Sequence, residues 1–72
     1  MKNLYFERSD GEVREIKKNI PEEQVIAEIY TAVAKMNPKY NIYYVRHWNE
    51  NGKTWYDVGS HVEFFFTEEA EI

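Results

Sequence analysis

The sequence predicts an α+β fold in the order ββαββ, a four-stranded and mostly antiparallel sheet with one amphipathic helix packed on one face. Two observations indicate this. Asp10-Gly11 and Asn51-Gly52 are turn pairs that each lie between strand-like segments, which is typical of β-hairpins. Between the two hairpins, apolar residues recur at helical spacing, which predicts a helix that covers the sheet.

The loop length of the first hairpin decides which side chains share a face. In a turn of three residues with Gly11 in the left-handed conformation, Phe6 pairs with Arg14. The same register pairs Leu4 with Ile16, so Leu4, Phe6 and Ile16 lie on one face. A two-residue turn would scatter the apolar residues over both faces. We favour the longer turn because the burial of one face fixes the register.

The segment that follows the first hairpin predicts a helix of about four turns. Asn19 is a suitable capping residue and Pro21 suits the first turn. The predicted apolar stripe consists of Val25, Ile26, Ile29, Val33 and Met36. Asn37-Pro38 ends the helix, since proline cannot continue the hydrogen-bond ladder.

The turn at Asn51-Gly52 sets the register of the second hairpin, which we predict from Tyr40 to Phe66. Folding the chain about this turn gives the pairs Glu50–Lys53, Trp48–Trp55, Arg46–Asp57, Tyr44–Gly59 and Ile42–His61. Opposite charges, paired aromatic rings and an aromatic ring over a glycine all stabilise antiparallel strands.

Gly59-Ser60 has two interpretations. It is either a turn before a separate strand from His61 to Thr67, or a bend in one long strand from Lys53 to Thr67. We favour the long strand because apolar and small residues alternate through it without a break. In that register one face carries Tyr43, Val45, Tyr56, Val58, Val62, Phe64 and Phe66, and we expect the helix to pack on it.

The opposite face of the predicted hairpin is the candidate interaction surface. It includes Tyr40, Ile42, Tyr44, Arg46, Trp48, Trp55, Asp57 and His61. An apolar patch that no predicted element covers usually marks an interaction site, and Tyr, Trp and Arg often dominate binding energy. We expect it to bind another protein or a second copy of the chain. Cover by the chain's own termini and a small-ligand groove are the alternatives.

Length, composition and charge narrow the function further. The 72 residues predict a single domain (1–72) with an acidic, flexible tail from about residue 68. Thirteen acidic residues against nine basic ones give a net charge of −4, which argues against binding to a phosphate backbone. Aromatic residues on an open sheet keep a single-strand nucleic-acid binder, or an acidic mimic of nucleic acid, as the alternative. No apolar run is long enough to span a membrane, and we expect a cytoplasmic protein.

The sequence gives little support for an enzyme or a metalloprotein. There is no cysteine and no glycine-rich phosphate loop. Asp57 and His61 are four residues apart on the predicted strand, roughly 13 Å, which is too far to hold one ion. We therefore predict no catalytic residues, no metal and no cofactor.

Residues 55–66, WYDVGSHVEFFF, resemble a segment of small uncharacterised phage and prophage proteins of Gram-positive bacteria. The resemblance implies an accessory protein of a mobile element. It identifies no functional residues in this chain.

Overall fold

The computed structural model describes residues 1–60 and 62–70. They form β1 (Lys2–Glu7), β2 (Val13–Ile20), α1 (Val25–Met36), β3 (Arg46–Glu50), β4 (Lys53–Asp57) and β5 (Phe64–Glu69). The five strands make one sheet in the order β2-β1-β5-β4-β3, and all neighbouring strands are antiparallel. The α+β class with one helix is confirmed for these residues, but the sheet has five strands where four were predicted.

The turn of the first hairpin follows the favoured register. Phe6 lies opposite Arg14, and Gly11 has a φ of 89°. Further along the strands a register shift places Leu4 opposite Lys17 instead of Ile16. Ile16 remains half-buried and still packs against the core. A local irregularity therefore changes the pairing without moving this apolar side chain away from the core.

Pro21 was expected in the first turn of the helix, but α1 begins four residues later, at Val25, because a single 3-10 turn, Glu22–Gln24, precedes it. Asn19 does not cap the helix. It has a φ of 56°, and its backbone N–H donates to the side chain of Asn3. The buried face of α1 consists of Val25, Ile29, Ala32 and Val33, whereas the predicted stripe residues Ile26 and Met36 are exposed.

The core lies between α1 and one face of the sheet. Its buried members are Leu4, Phe6, Ile20, Val25, Ile29, Ala32, Val33, Tyr56, Val58 and Phe65. Ile42 and Val45, from the segment between α1 and β3, pack against the same cluster. The helix and this connecting segment therefore contribute side chains to the same side of the sheet.

The predicted long strand is wrong, because the chain reverses direction between β4 and β5. Gly59 has a φ of 101°, and its N–H donates to the Asp57 carboxylate at 2.8 Å. The N–H of Glu63 donates to the hydroxyl of Ser60 at 3.1 Å. These side-chain contacts stabilise a tight reversal that competes with extended structure.

The reversal inverts the predicted faces of the last strand. Tyr56 lies opposite Phe65, so Phe65 joins the core and is 1% exposed. Phe64 and Phe66 consequently point to the face away from the helix. Val62, predicted to be a core residue, is 61% exposed. β5 also pairs with β1, which places it at the centre of the sheet.

The acidic end of the chain is part of the sheet as far as Glu69. Glu68 and Glu69, where a flexible tail was predicted to begin, are the last residues of β5. The Glu69 carboxylate lies 2.6 Å from the ammonium of Lys2, and this contact raises the pKa of Lys2 and lowers that of Glu69. Residues 71 and 72 of the predicted tail lie outside the described residues. Within the described ranges, no helix is long and apolar enough to cross a membrane.

Candidate interaction surface

Strand pairing places one aromatic residue from each of four adjacent strands in a single row. Tyr5 lies opposite Phe66, Phe66 opposite Trp55, and Trp55 opposite Trp48. Phe64 lies next to this row on β5. We call Tyr5, Trp48, Trp55, Phe64 and Phe66 the aromatic face. It lies on the side of the sheet opposite α1, because side chains alternate along each strand and Leu4, Phe65 and Tyr56 belong to the core.

The rings of the aromatic face pack against one another. Tyr5 and Phe66 stack with their centroids 5.1 Å apart and an angle of 22° between the ring planes. The centroids of Trp55 and Phe66 are 4.8 Å apart. These distances match the spacing of neighbouring strands, so the rings stack along the row. Phe66, in the middle, is only 4% exposed, whereas Tyr5, Trp48, Trp55 and Phe64 are half-buried.

The open end of the row lies at β3, an edge strand of the sheet. Trp48 on this strand meets Phe64 edge-on, with 5.9 Å between centroids and 84° between ring planes. Trp55 meets Phe64 at the same angle and a distance of 6.5 Å. The buried indole nitrogen of Trp55 has no hydrogen-bond partner among the described residues. The Trp55 ring contacts the rings of Phe64 and Phe66.

A lysine partly shields the centre of the aromatic face. The ammonium of Lys53 lies 4.8 Å from the ring centroid of Phe66 and 6.0 Å from that of Trp55. Both distances are within the range of a cation–π interaction. Lys53 therefore interacts with the rings themselves.

Three carboxylates on this side of the sheet have no cationic partner among the described residues. Glu7, Glu50 and Glu68 share the aromatic side by strand alternation, and we call them the acidic rim. None of the three forms an ion pair within the part of the chain that the structure describes. The edge of the aromatic face is consequently acidic.

Arg46 and Asp57 form the predicted cross-strand pair. The guanidinium donates to the Asp57 carboxylate at 2.8 Å, and that contact and the carboxylate's charge raise the pKa of Arg46. Asp57 is fully buried, whereas the Arg46 side chain is 62% exposed. Because the other carboxylate oxygen of Asp57 accepts the N–H of Gly59, this pair anchors the reversal after β4. The pair therefore holds the end of β4 and the start of the reversal in place.

The other described residues of the predicted surface come from the segment before β3. Tyr40, Ile42 and Tyr44 precede β3 and belong to no strand. The Tyr40 hydroxyl donates to the carbonyl of Val58 at 2.6 Å, and Ile42 packs against the core on the helix side. The predicted strand partner of Ile42, His61, lies outside the described residues. The structure therefore keeps Arg46, Trp48, Trp55 and Asp57 together, packs Ile42 against the core instead, and leaves the Tyr44 ring next to Gly59.

Sequence reasoning missed Tyr5, Phe64 and Phe66 as members of this surface. Tyr5 alternates with the core residues Leu4 and Phe6, which was a usable signal for the opposite face. The two phenylalanines lie on this face only if the chain turns at Gly59-Ser60, which is the alternative to the favoured long strand. The face on which Phe64 and Phe66 lie therefore depends on where β4 ends.

Comparison with protein-family models, curated proteins and solved structures gave no match. The resemblance of residues 55–66 to phage proteins therefore stays a prediction. Among the described residues, no group of three or more His, Asp or Glu side chains could hold a metal ion.

Proposed function

We propose that this chain is a non-enzymatic binding protein whose aromatic face docks onto another protein. The observation that carries the proposal is the row of aromatic residues across four adjacent strands, on the side of the sheet opposite α1. Half-buried Tyr and Trp side chains provide a large contact area and lose little conformational entropy on binding. Trp48, on an edge strand, is the natural anchor of the contact.

The acidic rim defines the kind of partner. A surface with an apolar patch surrounded by Lys and Arg side chains would complement Glu7, Glu50 and Glu68. Two copies of this chain packed through the same face would bring their acidic rims close together, so we favour a different protein over self-association. A nucleic-acid-binding protein offers a surface of this kind, which is the partner that an acidic mimic of nucleic acid would occupy.

Direct binding of single-stranded nucleic acid is less well supported. Base stacking requires accessible ring faces, but Phe66 lies between Tyr5 and Trp55. Phosphates would also meet the acidic rim. An accessory protein of a mobile element, as the resemblance of residues 55–66 implies, would suit a role in binding a host or phage protein.

Labelled synthetic peptides test this function. The probe carries a Trp-Leu anchor flanked by Lys and Arg, and its control carries Glu at the flanking positions. We expect fluorescence anisotropy to show saturable binding of the basic probe to the wild type. Trp48→Ser should weaken that binding at least tenfold, because it removes the ring at the open end of the row.

Tyr43→Ser is the matched control, because Tyr43 is 87% exposed and lies outside the aromatic face. It should bind the probe as the wild type does. Equal binding by wild type and Trp48→Ser, or equal binding of the basic and acidic peptides, would contradict the proposal. A dimer in light scattering that Trp48→Ser dissociates would show that the partner is a second copy.

A further inference from the structure

A cleft of about 510 Å³ opens on the helix side of the sheet, where α1 ends. Its floor is apolar and consists of Phe6, Val33, Val58 and Phe65, and Met36 and Tyr40 form one wall. The helix does not extend over this end of the sheet, so the cleft is open to solvent. Small-molecule sites commonly have this size and this predominance of apolar lining.

Two arginines lie at the hairpin side of the cleft. Arg8 follows β1 and Arg14 lies in β2, and both side chains contribute to the lining. Glu12 accepts a hydrogen bond from Nε of Arg14 at 2.8 Å, and it lies 4.0 Å from Arg8. Within the described residues, Glu12 is the ion-pair partner of both arginines. A guanidinium has five N–H donors, so both arginines retain donors for a further anion.

The opposite wall is held in place by its own hydrogen bonds. The Tyr40 hydroxyl donates to Val58, and the N–H of Glu63 donates to the hydroxyl of Ser60. These hydrogen bonds connect the segment before β3 to the reversal after β4 and fix the position of the wall. A preformed wall lowers the entropic cost of binding.

The charges around the cleft determine which end of it a negatively charged group of a ligand would occupy. Glu63 also lines the cleft and lies next to Arg8 in the strand register, because Glu7 pairs with Phe64; Glu63 and the C-terminal end of α1 both disfavour an anion beside them. Arg8 and Arg14 favour an anion, and Arg14, on the outer strand β2, lies further from Glu63 than Arg8 does. A negative group is therefore best placed at the first hairpin, with the apolar part of the ligand extending towards Met36.

We propose that this cleft binds a small amphiphile, whose alkyl or aryl chain lies on the apolar floor and whose carboxylate bridges Arg8 and Arg14. The proposal does not depend on the aromatic face, which lies on the other side of the sheet. The carboxylate accepts hydrogen bonds from both guanidinium groups, and the chain removes apolar surface from water.

Octanoate is the probe, with octanol and octylammonium as controls of matched chain length. Titrated into the full chain labelled with ¹⁵N, octanoate should shift the amide resonances of the cleft residues in a saturable manner. The combined variant Arg8→Gln and Arg14→Gln should weaken this binding at least tenfold. Lys35→Gln, which removes a positive charge from α1 outside the cleft lining, should bind as the wild type does.

The proposal is overturned if octanol or octylammonium binds as tightly as octanoate, or if the octanoate shifts map to the aromatic face. It is also overturned if the double variant binds as the wild type does. Should the double variant not fold, Arg8→Gln alone decides the matter, because its only ion-pair contact among the described residues is at 4.0 Å. That variant should weaken octanoate binding at least threefold.

Discussion

At the scale of single residues, Gly59 connects the reversal after β4 to the segment before β3. A Cβ atom at this position would lie 2.7 Å from the hydroxyl of Tyr40 and 4.0 Å from the ring of Tyr44. Tyr40 is held there by its hydrogen bond to Val58. The proximity of Tyr44 to Gly59 was predicted from the sequence, although as a strand pair, which the structure does not form. Glycine is required both for its φ of 101° and for this close approach.

Gly59→Ala should therefore destabilise the protein more than an alanine substitution at an unobstructed glycine. The left-handed conformation costs an alanine about 1–2 kcal/mol, and overpacking against Tyr40 adds about 1–3 kcal/mol. Gly52→Ala is the control, since Gly52 has a φ of 76° and nothing within 4 Å of the added Cβ. Urea denaturation measures the free energy of unfolding of both variants. Equal losses of the free energy of unfolding would mean that Tyr40 does not constrain Gly59.

At the scale of elements, turn chemistry made the strand pairs next to both hairpin turns predictable, but not the pairs further from the turns. Gly11 and Asn51-Gly52 specify their turns locally, and the pairing of Trp48 with Trp55 follows from the second turn by counting. The end of β4 was not predictable in the same way. It depends on the side chain of Asp57 binding the N–H of Gly59, and on the pairing of β5 with the distant β1. Neither contact leaves a periodic signal in the sequence.

The inverted faces of β5 lead to a prediction for its phenylalanines. Phe65→Ala should lower the free energy of unfolding by about 3–5 kcal/mol, because the side chain is buried in the core. Phe64→Ala should cost less, since Phe64 is half-buried on the aromatic face. Denaturant titration of both variants provides the comparison. A larger loss for Phe64→Ala would favour the single long strand over the reversal.

At the scale of the whole molecule, the ionisation of Tyr56 makes the free energy of unfolding depend on pH in the alkaline range. Burial, and next the charge of Glu22, raise the pKa of Tyr56 above its ordinary value of 10.0. As pH rises through that value, the unfolded chain loses the tyrosine proton before the folded chain does. The free energy of unfolding should therefore fall above about pH 10, an effect that is absent at lower pH.

Tyr56→Phe should reduce this alkaline loss of stability. Tyr43→Phe is the control, because Tyr43 is exposed, and it should leave the alkaline loss as in the wild type. Each variant removes one phenol and keeps every other ionisable group, so the difference between the variants isolates Tyr56. Thermal unfolding from pH 8 to 11 measures the dependence, and parallel curves for wild type and Tyr56→Phe would contradict the role of Tyr56.

The candidate site was only partly predictable at this scale. Trp48, Trp55, Arg46 and Asp57 were found because they lie close to a strong turn signal. The rest of the aromatic face comes from β1 and β5, whose pairing brings together residues from opposite ends of the chain. The burial of Phe66 was not predictable either, because it depends on its neighbours Tyr5 and Trp55 on the adjacent strands.

The most direct test of the aromatic face as the docking surface uses its two indole N–H groups. Both tryptophans of the chain, Trp48 and Trp55, lie on this face, so their indole resonances report on it selectively. When the basic peptide is titrated into ¹⁵N-labelled protein, both resonances should shift with the same affinity as the amides of Tyr5 and Phe64. Shifts confined to α1 or to the cleft, with both indole resonances unchanged, would contradict the assignment.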